Sequence, residues 1–363
     1  MINAGKAGFL SLFIGSYFYL AGVTSFSPAY FLFIIAFVFL LILFSKNTYF
    51  KIDTLIIVNL LIFIVALINQ IGISDFRRPV VSFICFLLYI LTILIGNRLS
   101  YQDIKKLSIL SLNISIILFL AEFYFRFNNN WKIIFNPELY SQETKLFYNF
   151  KEGSIMFMDS NHVAIVLLLL YFFTFYLIRE HKERLFYILA FYAFFITFTF
   201  SRAVWITTLL FSILYYFHKP NKRLILYFPI IFIVGGASNF IYQFFSKDLS
   251  FLTKFDIYFA TIKYINDSTY WQIIRGVGYG NSYDFLGIGT HNLFITYFVE
   301  GGLITLVLIL MLYLLMFIKN NGKFLYLLLP FILAGMSFAP QVQTFLYIPL
   351  ATIYLLEIKK TNE

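Results

Sequence analysis

An arginine, a histidine and a glutamate stand in apolar or glycine-rich stretches of this chain, where a charge or a titratable ring is expensive and invites a chemical reading. Arg202 interrupts TFTFSRAVWIT, between two closely linked apolar runs. Its guanidinium offers a rigid fork of donors matched to phosphate or pyrophosphate oxygens, although an arginine snorkelling to a membrane interface beside Trp205 would look the same. His291 closes the stretch IIRGVGYGNSYDFLGIGTHN, in which Gly276, Gly278, Gly280, Gly287 and Gly289 let main chain approach a ligand closely. At or just before a helix start, a histidine can take or give a proton near neutral pH, and the helix N-terminal amides beside it favour an anion. Capping that helix is its plainer role.

Glu300 lies nine residues further on. At about 100° per residue the two side chains would face opposite sides of a straight helix, so a joint site needs His291 ahead of the helix or a distortion at Gly301 and Gly302. Otherwise Glu300 reads as a buried acid paired with a polar group of another span. A third group, FMDSNHVAI at residues 157–165, places Asp159, Ser160, Asn161 and His162 where a loop enters an apolar run. One of the first three is the expected N-cap, and Asn161 and His162 can share a cavity. His181 in REHKER and His218 in FHKPNKR read as solvated topology determinants, and Arg77 and Arg78 as outer-loop charge or as positive potential toward an anionic lipid. The single cysteine, Cys85, lies inside an apolar run and allows no intramolecular disulfide, and there is no CxxC or Cys/His metal spacing.

The elements that position these residues are long and apolar. The chain of 363 residues is 61% hydrophobic and 12% charged, against about 45–50% and about 25% in soluble domains. Runs such as PAYFLFIIAFVFLLILF are continuously apolar and cover a hydrocarbon core of ~30 Å as helices; they lack the alternation of membrane β-strands. Twelve such segments are expected, near residues 9–25, 28–44, 54–71, 79–96, 107–125, 161–178, 185–200, 203–217, 224–241, 292–318, 324–339 and 343–356. The first is read as a retained span with no cleavage signature after it. The fold class is thus an all-α polytopic membrane protein of about twelve transmembrane helices, a single integral membrane domain over residues 1–363.

With both termini cytoplasmic, the inside segments collect Lys6, Lys46, Lys51, Arg98, Lys105, Lys106, Arg179, Lys182, Arg184, Lys219, Lys222, Arg223, Lys319, Lys323, Lys359 and Lys360. The short outside turns hold only Arg77, Arg78 and Arg202, as the positive-inside rule requires. The net charge of +10 is therefore a topology signal, and nucleic acid is not an expected partner. Two connections, 126–160 and 242–290, are too long for turns and carry aromatics, acids and bases, so both are expected to be partly folded, functional loops outside the membrane. No internal repeat of the transporter kind is evident.

The order DSN at 159–161, SR at 201–202, a long loop ending in HN at 291–292, and ExG at 300–302 resembles the O-antigen polymerase and ligase superfamily of bacterial envelope enzymes. The likeness covers roughly residues 155–315. Thr305 stands where the ligase branch has the second glycine of GxxG, and assignment to the polymerase (Wzy-type) branch rests on size, loops and partial motifs, the arginine–glycine arrangement of that branch not being evident from Arg77, Arg202 or Arg275.

What the resemblance implies is a GT-C-like glycosyltransferase of the bacterial inner membrane with two long periplasmic loops and a periplasmic active face. It would be metal-independent and need no cofactor. Its partners would be undecaprenyl-diphosphate-linked oligosaccharides, membrane lipids and a chain-length regulator. The growing chain moves from its carrier to the non-reducing end of a new repeat unit. Arg202 and Arg275 would stabilise the diphosphate leaving group, His291 would deprotonate or position the acceptor hydroxyl with Glu300 in support, and Asp159, Asn161 and Asn292 would contact diphosphate or sugar. Trp271 and neighbouring tyrosines would offer flat surfaces to sugar rings. Two alternatives stay open: a ligase acting on lipid A-core, and a lipid-linked sugar flippase or other transporter.

Overall fold

A computed structural model describes residues 2–24, 26–44, 54–71, 76–134, 154–157, 160–218, 249–340 and 343–362. The expected span at 224–241 and Asp159 lie outside the described residues. Among the described residues every regular element is helical: α1 (Ile2–Gly15), α2 (Pro28–Phe44), α3 (Thr54–Asn69), α4 (Arg77–Gly96), α5 (Tyr101–Ile134), α6 (Ser160–His181), α7 (Phe186–Phe198), α8 (Arg202–Phe217), α9 (Leu249–Asp267), α10 (Tyr270–Arg275), α11 (Ser282–Leu286), α12 (Leu293–Ile318), α13 (Leu325–Gly335) and α14 (Thr344–Asn362). Four are long and apolar enough to cross a membrane: α4, α5 over Tyr101–Asn128, α6, and α12 with the 3₁₀ turn that follows it, Leu293–Gly322. Shorter apolar helices include α2, α3, α7, α8 and α13. This is a helical membrane protein.

The chain divides into two compact units, Met1–Phe50 with Cys85–Phe217 and Gln343–Glu363, and Lys51–Ile84 with His218–Val342. In the first, α6 is the centre. Every residue from 163 to 177 is buried, as a helix apolar on all sides must be, with α7, α8 and α14 packed on it. Buried threonines in these apolar helices bond back along their own turn: Thr174 Oγ1 donates to Leu170 O at 2.8 Å and Thr207 Oγ1 to Ala203 O at 2.7 Å. Water is not needed to satisfy these two threonines.

Two segments differ from expectation in instructive ways, and a corner forms where one was expected. The first helix ends at Gly15 instead of running over 9–25, because the chain beyond it turns to bond a remote segment: Ala21 and Gly22 donate to the carbonyls of Met156 and Ile155, both at 3.0 Å. α5 runs past 107–125 at both ends. Ser100 Oγ caps it by accepting from Asp103 N at 3.1 Å, and no glycine or proline interrupts the sequence before Ile134, so residues 126–134 continue the helix. Between α7 and α8, where neither Gly nor Pro marks a turn, Phe200 takes φ 54° and Trp205 Nε1 donates across the corner to Ile196 O at 2.8 Å.

His181 is not a solvated topology residue. α6 extends to it, and its buried ring lies between two tyrosines, Nδ1 2.7 Å from Tyr101 Oη and Nε2 2.7 Å from Tyr176 Oη. Tyr176 in turn donates to Glu357 Oε1 at 2.7 Å, tying α5, α6 and α14.

In the second unit α12 is the centre, in contact with α3, α10, α11 and α13. The described part of the second long loop, from residue 249, is largely helical, as α9, α10 and α11, and α9 lays Ile257 and Tyr264 against Val277, Ile295 and Val299.

Candidate functional site

The site of the second unit is built on a break in an apolar helix. Gly302, inside α12, has φ 75° and ψ −179°, which no L side chain adopts at ease. The break withdraws the N–H groups that the preceding carbonyls would normally receive, and in a membrane helix such carbonyls need other donors. They are supplied from outside the helix. Val277 N donates to Val299 O at 2.9 Å, Gly278 N to Glu300 O at 2.9 Å, and Asn69 Nδ2 to Gly301 O at 2.9 Å. The glycine-rich run therefore serves main-chain docking onto α12. Gly276, at φ 80°, closes so tightly on this break that a Cβ there would sit 2.5 Å from Glu300 O and from Gly302 N.

Two further contacts lock α3 into the same frame. The buried Gln70 side chain clasps the backbone of Tyr279, Nε2 donating to its O at 3.2 Å and Oε1 accepting from its N at 2.8 Å. Arg275 Nη2 donates to the carbonyls of Ile68 (2.9 Å), Asn69 (3.3 Å) and Ile71 (2.9 Å), a cation on the C-terminal end of α3 where the helix dipole is negative. Burial pushes the Tyr279 phenol up, so it keeps its proton.

What this frame presents is Glu300, 2% exposed. Its Oε1 accepts from Arg78 Nη1 at 3.0 Å and from Ser282 Oγ at 2.7 Å. The Arg78 side chain is 33% exposed, so a buried carboxylate is paired with a cation that reaches the surface. From Ser282 the polar contacts continue to Thr290 Oγ1 at 3.4 Å, and from there to Thr296 Oγ1 at 2.9 Å. Thr290 precedes His291, so this chain of hydroxyls ends beside the histidine turn. His291 lies ahead of α12, and Gly302, two residues past Glu300, breaks that helix.

His291 is exposed, its N donating to Gly289 O at 3.0 Å; a Cβ on Gly289 would lie 3.3 Å from its ring Nε2. Asn292, not His291, is the N-cap, its Oδ1 accepting from Phe294 N (3.0 Å) and Ile295 N (3.1 Å) while Nδ2 donates to Met336 O at 3.0 Å. Those first-turn amides are thereby used within the fold, which removes them as donors for an anion beside His291. Trp271 is exposed on α10.

The first unit holds Arg202, exposed in the first turn of α8, and Asn161 and His162 in the first turn of α6, where His162 stacks on Phe157 at 5.3 Å between ring centres. It also holds a pair that the sequence reading passed over. Glu122 and Arg126, both buried, form an i,i+4 ion pair on α5, and Glu122 Oε2 accepts from Ile155 N at 2.8 Å and Met156 N at 3.2 Å. One carboxylate thus holds residues 154–157, which lead toward the DSN stretch. A cavity of ≈ 20 Å³, room for about one water, lies against this pair among Phe119, Phe123 and Phe198. The spacing of acid and base inside LFLAEFYFRF was a usable signal. Ser282 carried none and is found through Glu300; Arg78 was legible as a charge outside the membrane, but its pairing with Glu300 comes from the fold.

Among the described residues no cluster of His, Cys, Asp or Glu is placed to hold a metal ion. Comparison with known family models and with characterised protein sequences gave no match.

Proposed function

We propose that this chain is a membrane glycosyltransferase of the O-antigen polymerase type, elongating polysaccharide on undecaprenyl-diphosphate carriers. The observation that carries this reading is the polar chain Arg78–Glu300–Ser282–Thr290, which begins at a partly exposed guanidinium and ends next to an exposed histidine. Glycosyl transfer from a lipid diphosphate asks for a cation at the leaving group and a base or positioning group at the acceptor hydroxyl. Arg78 meets the first need and His291 the second. Glu300, anchored on one oxygen, holds the orientation of Arg78 and of the Ser282–Thr290 segment. Arg202 is retained as a diphosphate ligand on its residue type and its exposure.

Arg275 and Asn292 take different parts from those the family resemblance implies. Arg275 Nη2 is engaged by three carbonyls at the end of α3, and the Asn292 side chain by the α12 N-terminus and Met336 O, so in this reading both help to position the site. Asn161 remains a sugar or diphosphate contact in this reading, and Glu122 supports the segment that leads to it.

One feature favours a second reading. A helix broken near a buried acid is a device of transporters that bind cargo at such breaks, and α12 has one. The test is deletion of the gene followed by inspection of the surface polysaccharide. A core bearing a single repeat unit supports the polymerase. A bare core with lipid-linked polymer outside the membrane indicates the ligase, and a bare core with repeat units retained inside indicates the transporter.

A further inference from the structure

α9 divides its surface into three sectors. The first is buried and holds Ile257, Thr261 and Tyr264, packed on the α12 side of the second unit, with Lys254 Nζ donating to Ser337 Oγ at 3.0 Å at its margin. At about 100° per residue, the adjoining sector holds Tyr258, Phe259, Ile262 and Ile265, which are 46%, 66%, 55% and 41% exposed. The remaining sector holds Asp256, Lys263 and Asp267, all exposed. Only Asn266, in the last turn, interrupts the apolar sector.

A helix with one face on its own protein, one on water and one bare and apolar has its third face toward something that is neither. α9 is not among the helices long and apolar enough to cross a membrane, and its charged sector would be buried in hydrocarbon if it did. We infer that α9 lies in the plane of the membrane surface, with the Phe259–Ile262 sector sunk into the headgroup and acyl boundary and Asp256, Lys263 and Asp267 in water. The occupant of the bare face is the lipid interface because of three facts. The same chain contains helices built to cross a bilayer. The charges are confined to the sector away from the apolar one. And α10 follows at once with Tyr270 and Trp271, 81% and 74% exposed, the residue types that gather at membrane–water interfaces. This inference goes beyond the proposed activity and does not rest on it. Its consequence is positional: α10 leads directly to Gly276 and the α12 break, so the site is held at the depth of lipid headgroups.

The test places a spin label at single cysteines in the full chain reconstituted in phosphatidylcholine–phosphatidylglycerol vesicles, on a Cys85→Ser background. Phe259→Cys and Ile262→Cys should collide several-fold more with oxygen than with a water-soluble nickel chelate; Lys263→Cys and Asp267→Cys should show the reverse. Nickel access at all four positions would overturn the inference in favour of a solvated helix. Shielding of 259 and 262 from both agents would overturn it in favour of a protein partner, and oxygen preference at all four in favour of a span. Because all four positions are exposed, the variants are expected to fold, and loss of polymerase activity elsewhere would leave these readings unchanged.

Discussion

Gly276 and Gly302 meet backbone to backbone: a Cβ on Gly276 would lie 2.5 Å from Gly302 N, and a Cβ on Gly302 would lie 2.5 Å from Gly276 N and 2.2 Å from Ile274 O. Both have positive φ, 80° and 75°. The neighbours are main-chain atoms, which cannot rotate away. Gly302→Ala and Gly276→Ala are each expected to cost about 2–5 kcal/mol, overpacking and positive-φ strain together. Gly287→Ala is the control: its φ is 66° but nothing lies within 4 Å of the added methyl, so only the strain of about 1–2 kcal/mol applies. Thermal unfolding of the three variants in detergent checks the order.

Glu300 and Arg78 depend on each other. Glu300→Ala removes the acceptor for both Arg78 and Ser282, and a loss of chain elongation of tenfold or more is expected. If Glu300 acts by holding Arg78, the double variant Arg78→Ala/Glu300→Ala should be no worse than the poorer single one, a coupling of roughly 0.5–3 kcal/mol. Fully additive losses in elongation assays would separate the two residues.

Arg275 distinguishes a cap from a substrate ligand. Arg275→Ala is expected to lower stability by about 1–2 kcal/mol through loss of the α3 carbonyl contacts, with binding of a lipid diphosphate unchanged once the protein is folded. Lysine there should restore part of the stability. A wild-type melting curve combined with lost diphosphate binding would return Arg275 to the role the resemblance implies.

His291 and Arg202 are exposed, so their replacement should leave stability within about 0.5 kcal/mol while removing activity. His291→Ala should be nearly inactive. Arg202→Lys should remain impaired if a bidentate fork is needed, and full elongation in the lysine variant would remove that argument.

Glu122→Ala strands a buried arginine and releases residues 154–157, so a cost of about 3–5 kcal/mol is expected; Glu122→Gln/Arg126→Met, which removes both charges at similar volume, should recover most of it. Melting temperatures of the single and double variants decide this.

Local signals made much of this architecture legible. α2 begins at Pro28 and spans the apolar run read for it, because proline suits a first helical turn and nothing interrupts the run. The Gly301–Gly302 pair and the glycines after Arg275 marked where main chain would bend and approach closely. What stayed hidden was long-range. α1 stops at Gly15 because residues 154–157 bond the chain beyond it, and Glu300 acquires its meaning from Arg78, 222 positions away. Asn292 and Arg275 carried the right chemistry for a ligand site, yet the fold places the Asn292 side chain and one guanidinium nitrogen of Arg275 on helix ends, a choice that no spacing rule foretells.

The most direct measurement is elongation by the purified chain in vesicles loaded with the host's own undecaprenyl-diphosphate-linked repeat units, with a metal chelator present and products resolved by length. A ladder of lipid-linked chains from the wild type, absent with His291→Ala, is the predicted result. Single repeat units that cross the bilayer without growing in length would contradict it.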